Sequence, residues 1–151
     1  MTARIERTFR RAVVAALTVV AVATAGSVGR AQEHKAHRVV FEVTSADAQA
    51  WQSVLNNVEN VQKALGSDAT EIRVVAHGGG LGMLLKTNTA LAERITSLAS
   101  PRVTFVACEN TMKRRNITKE ELLPAAGTVD SGVAEVVRLQ EAGWSYLKSG
   151  S

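Results

Sequence analysis

The sequence contains few of the residues that build metal centres and covalent cross-links. Only one cysteine and three histidines occur among its 151 residues. A single cysteine excludes an internal disulfide bond. One cysteine with three dispersed histidines also disfavours a metal enzyme, because metal sites gather three or four such ligands. We therefore expect neither a metal nor another cofactor.

An excess of positive charge is confined to the amino end of the chain. The formal net charge is +4. Four arginines precede an apolar run over residues 12–25, and small residues follow that run. This order is typical of a secretory signal peptide, which we predict over residues 1–31. The run is shorter than the roughly 20 residues of a membrane-spanning helix, which disfavours an uncleaved anchor.

Without residues 1–31, the chain has balanced charge. That segment contains five of the 18 basic residues and one of the 14 acidic residues, so 13 of each remain. A neutral chain disfavours nucleic acid as a partner. The sequence thus predicts a periplasmic or secreted protein, free of the membrane after cleavage, with one domain over residues 32–151.

Apolar, β-branched runs alternate with helical patterns along this domain. Strands are predicted at residues 38–44, 72–76, 103–107 and 144–147, and residues 127–130 are predicted to form a short strand or an extended link. The first helix has an inward stripe from Trp51 to Leu65, and Ser45 or Asp47 can cap it. The alternation predicts an α/β fold with three layers, α/β/α, around a mainly parallel sheet of about five strands.

The last helix is predicted to begin after Asp130 or Ser131, either of which can cap it. Its inward face is expected to carry Val133, Val136, Val137 and Gln140. The large and small residues alternate from Trp144 to Leu147, which favours a final strand at the edge of the sheet.

A glycine-rich segment, residues 78–82, follows the second strand and His77. Its glycines permit unusual backbone conformations and let a ligand approach the main chain. The segment lacks the lysine and hydroxyl residue of a phosphate-binding loop, and it is not a dinucleotide fingerprint. A plain tight turn is the commoner explanation of such a segment.

The only cysteine, Cys108, lies where the third strand runs into a polar, helix-starting turn. A helix amino end favours a thiolate, and Asn110 and Thr111 can donate hydrogen bonds to it. Glu109 opposes this, because a neighbouring carboxylate disfavours a second negative charge. Cysteine is also one of the residues most often buried as inert core.

The parallel strands bring His77 and Cys108 to the same edge of the sheet. The predicted site therefore combines Cys108 as the reactive residue with binding residues from both turns. His77 is expected to act as a base, as a hydrogen-bond donor or as a structural residue. The predicted binding residues are His77, Gly78, Gly79, Asn110 and Thr111.

Several segments, in this order and spacing, resemble the DsrE/DsrF-like sulfur-relay family, and specifically its exported, single-domain members. They cover the chain from Val39 to Lys148. The segments are residues 39–43, Trp51 with residues 55–57, residues 74–78, residues 106–112, and residues 131–137 with Gln140 and residues 143–146. Glu109 departs from the pattern, because a small residue is common at that position.

The resemblance implies a three-layer domain of flavodoxin-like appearance that assembles into small homo-oligomers. It also implies that Cys108 carries a persulfide, as a sulfur carrier or sulfurtransferase-like protein, between sulfur donor and acceptor proteins. The alternative is a non-catalytic oligomeric protein of the same fold that binds a small ligand or a partner, with Cys108 as packing.

Overall fold

The computed structural model describes residues 36–148. The predicted signal peptide and residues 32–35 and 149–151 lie outside the described residues. Across residues 36–148, none of the helices combines the length and the apolar character needed to cross a membrane.

Five parallel strands form one sheet. They are β1 (His37–Val43), β2 (Thr70–Ala76), β3 (Val103–Cys108), β4 (Ala126–Val129) and β5 (Ser145–Lys148). Their order across the sheet is β4-β3-β2-β1-β5, and every neighbouring pair is parallel. The predicted α/β fold with a five-stranded, mainly parallel sheet is confirmed, and so is the edge position of the last strand.

Helices cover both faces of the sheet. On one face, α1 (Ala48–Leu65), α2 (Thr89–Leu98) and a 3-10 helix (Gly78–Leu84) enclose the larger core, which contains Phe41 and Phe105. On the other face, α4 (Gly132–Glu141) covers a smaller core. A short helix, α3 (Glu109–Arg114), follows β3 directly, and a second 3-10 helix spans Lys119–Glu121.

The first helix begins at one of its two predicted caps. The Asp47 carboxylate accepts hydrogen bonds from the N–H groups of Gln49 and Ala50, at 3.1 and 3.2 Å. Leu65 is 41% exposed, so its predicted place on the inward stripe was wrong. The fully buried residues of α1 end at Val58, and Val61 in the following turn is only partly buried against the core.

The predicted inward face of the last helix was also wrong in part. Val133 and Val137 are 57% and 48% exposed, whereas Val136 and Leu139 are buried. Gln140 is exposed as well. The helix is turned so that the Glu135 side chain lies inward, where its carboxylate pairs with Arg73 of β2 at 2.5 Å. A polar residue on the buried face is the reason that a hydrophobic pattern misassigns this helix.

The glycine-rich segment forms a 3-10 helix rather than a plain tight turn. Its glycines allow the backbone to pass close to the connection between β1 and α1. A Cβ atom on Gly80 would lie 2.1 Å from the Val43 carbonyl oxygen, and one on Gly79 would lie 2.8 Å from the Ala46 nitrogen. Close packing of backbone on backbone therefore explains these two glycines.

Candidate functional site

His77 and Cys108 lie side by side at the carboxyl edge of the sheet. Ala76 of β2 pairs with Ala107 of β3, so the next residue of each strand follows at the same level. In an open α/β sheet, ligands bind at this edge.

Cys108 is the N-cap residue of α3, and it is 5% exposed. Burial raises the pKa of its thiol, but hydrogen bonds to the sulfur lower it. The donors, in order of effect, are the Gly132 N–H, the Thr111 hydroxyl, the Thr111 N–H and the Asn110 N–H. Together they hold the pKa of the Cys108 thiol below its ordinary value, because they stabilise the thiolate.

The predicted binding residues contribute to this arrangement in different ways. Thr111 is buried, and its hydroxyl oxygen accepts a hydrogen bond from the Gly78 N–H at 3.1 Å. Because the hydroxyl oxygen accepts this bond, its own proton remains available for the hydrogen bond to the Cys108 sulfur. Gly79 packs on the backbone of the connection after β1.

Gly132 is a site residue that the sequence analysis missed. It is the first residue of α4, after the N-cap Ser131. The sequence predicted where α4 begins. The first residue of α4 lies over Cys108 because β3 pairs with β4, which aligns Cys108 with Val129. The Asn110 N–H also donates to the Asp130 carbonyl at 3.2 Å, which ties the two helix starts together.

Glu109 has its own partners beside the thiol. Its carboxylate accepts a hydrogen bond from the Thr128 hydroxyl at 2.6 Å and pairs with Lys119 at 3.0 Å. The Thr128 hydrogen bond first, and then Lys119, lower the pKa of this carboxyl. The negative charge expected to oppose the thiolate is therefore compensated locally.

His77 is joined to two residues that the sequence analysis did not assign to the site. Its Nε2 atom lies 2.8 Å from Glu42 Oε1, and the Tyr146 hydroxyl donates to Glu42 Oε2 at 2.6 Å. Burial raises the pKa of the Glu42 carboxyl, but the hydrogen bonds from Tyr146 and His77 bring it below its usual value. The only sign of these contacts in the sequence was Glu42, a carboxylate within an otherwise apolar strand.

The basic residues after Cys108 lie at the far end of α3. Arg115 donates to the Gly78 carbonyl at 3.1 Å, which fastens the glycine-rich segment to α3. Lys113 and Arg114 are exposed in the last turn of the helix. A shallow groove runs from the start of α3 along this surface. It is lined by Glu109, Asn110, Met112, Lys113, Ile117, Thr118, Lys119 and Asp130.

The comparisons with known proteins agree with this architecture. A sequence model of the DsrE/DsrF-like family matches residues 19–149. The chain belongs to this family. The resemblance to the DsrE/DsrF-like family noted in the sequence is thereby confirmed.

Among solved structures, the chain is similar to MTH1491, a protein of unknown function from Methanobacterium thermoautotrophicum. The two structures superpose with a TM-score of 0.69 at 31% sequence identity. The alignment covers 74% of this chain and 98% of that chain. None of the curated proteins matches this chain.

Proposed function

We propose that this DsrE/DsrF-like protein carries sulfane sulfur as a persulfide on Cys108. Membership of a sulfur-relay family supports the proposal. The observation that carries it is the convergence of N–H and O–H donors from Gly132, Thr111 and Asn110 on the Cys108 sulfur. These donors stabilise the thiolate, which is the nucleophilic form of cysteine.

In the loading step, the Cys108 thiolate attacks the terminal sulfur of a donor persulfide. A new sulfur–sulfur bond forms to Cys108, and the sulfur–sulfur bond of the donor breaks. The donor leaves as a thiolate, and the terminal sulfur keeps its proton. Charge and oxidation state balance, so the step needs no further oxidant or reductant.

In the unloading step, an acceptor thiolate attacks the terminal sulfur of the Cys108 persulfide. Cys108 now becomes the leaving group and departs as a thiolate. A thiol of lower pKa leaves faster in such exchanges. The donors around the sulfur therefore assist release as well as loading.

Export, partners and assembly are parts of the same proposal. The basic and apolar amino end supports a periplasmic or secreted carrier that meets separate donor and acceptor proteins there. Val133 and Val137 form an exposed apolar pair on α4, and β5 is an exposed edge strand. These features support a homo-oligomer.

The proposal is tested by incubating the purified protein with a low-molecular-weight persulfide and measuring its intact mass. We expect a mass gain of one sulfur atom that is lost on reduction. Cys108→Ser is the matched control and should not gain it. If the wild-type chain takes up no sulfur from persulfide donors, the carrier function is wrong.

One observation favours the alternative of a non-catalytic binding protein. Cys108 is only 5% exposed, which limits the approach of a donor. The groove beside α3, defined above by its lining residues, would then hold the ligand or partner. In that case Cys108→Ala should bind as the wild type does, and Cys108 should react with alkylating agents only after unfolding.

A further inference from the structure

Three side chains form a hydrogen-bonded chain along the carboxyl edge of the sheet. Tyr146 of β5 donates to Glu42 of β1 at 2.6 Å, and His77 after β2 lies 2.8 Å from the other oxygen of Glu42. The chain thus crosses three neighbouring strands. Because both carboxylate oxygens of Glu42 are used, Tyr146 and the strand pairing together fix the orientation of the imidazole.

The His77 side chain packs against the first residue of α4. A Cβ atom on Gly132 would lie 3.0 Å from His77 Cβ and 3.1 Å from His77 Cδ2. The same atom would lie 3.2 Å from Cys108 Cβ. Gly132 is therefore seated directly on both His77 and Cys108, with its N–H group donating to the sulfur.

We propose that His77, held by Glu42 and Tyr146, is a positioning residue. By packing against Gly132, it keeps the Gly132 N–H group within hydrogen-bonding position of the Cys108 sulfur. This inference rests on the proposed function, in which the thiolate of Cys108 is the reacting group. Through these side chains the edge strand β5 influences the thiol indirectly, because Tyr146 does not touch it.

The geometry disfavours a role for His77 as the base that deprotonates the thiol. The Nε2 atom reaches toward Glu42 on β1, whereas Cys108 ends β3 on the other side of β2. A carboxylate partner holds the proton on Nε2, because a carboxylate can only accept a hydrogen bond. The imidazole therefore acts on the sulfur through Gly132.

The test is the midpoint of Cys108 ionisation, measured in the full chain by the ultraviolet absorbance of the thiolate. Each protein is compared with its own Cys108→Ser background, so that tyrosine absorbance cancels. The variants are Tyr146→Phe and Glu42→Gln. The matched control is Glu71→Gln, which makes the same change at the opposite end of β2.

We expect the midpoint to rise by about half a pH unit in Tyr146→Phe, because a hydrogen bond to the thiolate is weakened. In Glu42→Gln the same weakening raises the midpoint, but the loss of a carboxylate charge lowers it, so the rise should be no larger than in Tyr146→Phe. Glu71→Gln should match the wild type. Tyr146→Phe is decisive, since it removes no charge and its side chain is 37% exposed, which favours an intact fold.

An unchanged or lower midpoint in Tyr146→Phe would overturn the inference, whatever Glu42→Gln shows. The measurement needs no sulfur transfer and no access of a reagent to the thiol. A wild-type chain with a shifted midpoint that accepts no sulfur would therefore refute the carrier function alone. Far-ultraviolet circular dichroism of each variant checks that the fold is retained.

Discussion

Substitution of Gly80 by alanine should damage the fold because there is no space for the added carbon. An ideal Cβ atom would lie 2.1 Å from the Val43 carbonyl oxygen, 2.5 Å from the Val43 carbonyl carbon and 3.0 Å from the Thr44 nitrogen. All three atoms belong to the backbone of one connection, so no side chain can rotate away. The 3-10 helix or the end of β1 has to move.

The displacement would strain hydrogen bonds that join the two segments. The Gly80 N–H donates to the Thr44 carbonyl, and the His77 N–H donates to the Val43 carbonyl, each at 3.0 Å. Overpacking a tight site typically costs about 1–3 kcal/mol, and a contact with backbone belongs at the upper end of that range. A loss of about 3 kcal/mol would lower the Tm of a domain of this size by roughly 10 °C.

Gly127→Ala is the matched control. Its Cβ atom would meet only the Val106 side chain at 3.7 Å and the Phe105 carbonyl at 3.9 Å, which are ordinary contacts. We expect its free energy of unfolding to stay within about 1 kcal/mol of the wild-type value. Urea unfolding followed by tryptophan fluorescence, with a thermal scan beside it, measures both variants.

The result also decides what the glycine-rich segment is for. If Gly80→Ala is as stable as Gly127→Ala, the close approach of the two backbones is not a packing requirement and the reasoning is wrong. If it is destabilised while the ionisation of the Cys108 thiol is unchanged, the glycine serves the fold and not the site.

Three further predictions address the two charged networks and the start of α4. Glu135→Gln should lower the free energy of unfolding in urea by about 2 kcal/mol, because it leaves Arg73 without its buried partner. The control Glu59→Gln breaks an exposed ion pair and should lower the free energy of unfolding by less than about 1 kcal/mol. Equal losses in the two variants would contradict this prediction. The hydrogen bond to Glu42 and, after it, burial raise the pKa of Tyr146, the only tyrosine in the chain, to about 12. Phenolate absorbance should therefore titrate near that value in the wild type and should move toward the ordinary value of about 10 in Glu42→Gln. Because that pKa is raised on folding, the hydrogen bond stabilises the protein fully below about pH 10 and is lost as the pH rises through the folded value. Gly132→Ala should raise the pKa of the Cys108 thiol. The added Cβ atom would lie 3.0 to 3.2 Å from His77 and Cys108 and would displace the N–H group from the sulfur. An unchanged thiol titration would show that the Gly132 hydrogen bond is unimportant.

The sequence was sufficient to predict the sheet and most of its helices. The strands of the core are apolar on both faces, which is the pattern of a covered parallel sheet, and side-chain chemistry marked helix starts such as Asp47 and Ser131. The same pattern failed for the last helix. Glu135 lies on its buried face because Arg73 is there to pair with it, and a pairing across 62 residues leaves no trace in local periodicity.

The candidate site was only half predictable for the same reason. Strand ends in a parallel sheet share one edge, so the sequence alone determined that His77 and Cys108 lie together at that edge of the sheet. Only the tertiary structure decided which groups surround the sulfur. Strand order brings β4, and with it Gly132, beside Cys108, and brings β5, and with it Tyr146, beside Glu42. Hydrogen bonds to the thiol depend on these long-range pairings, and no local pattern of residues encodes them.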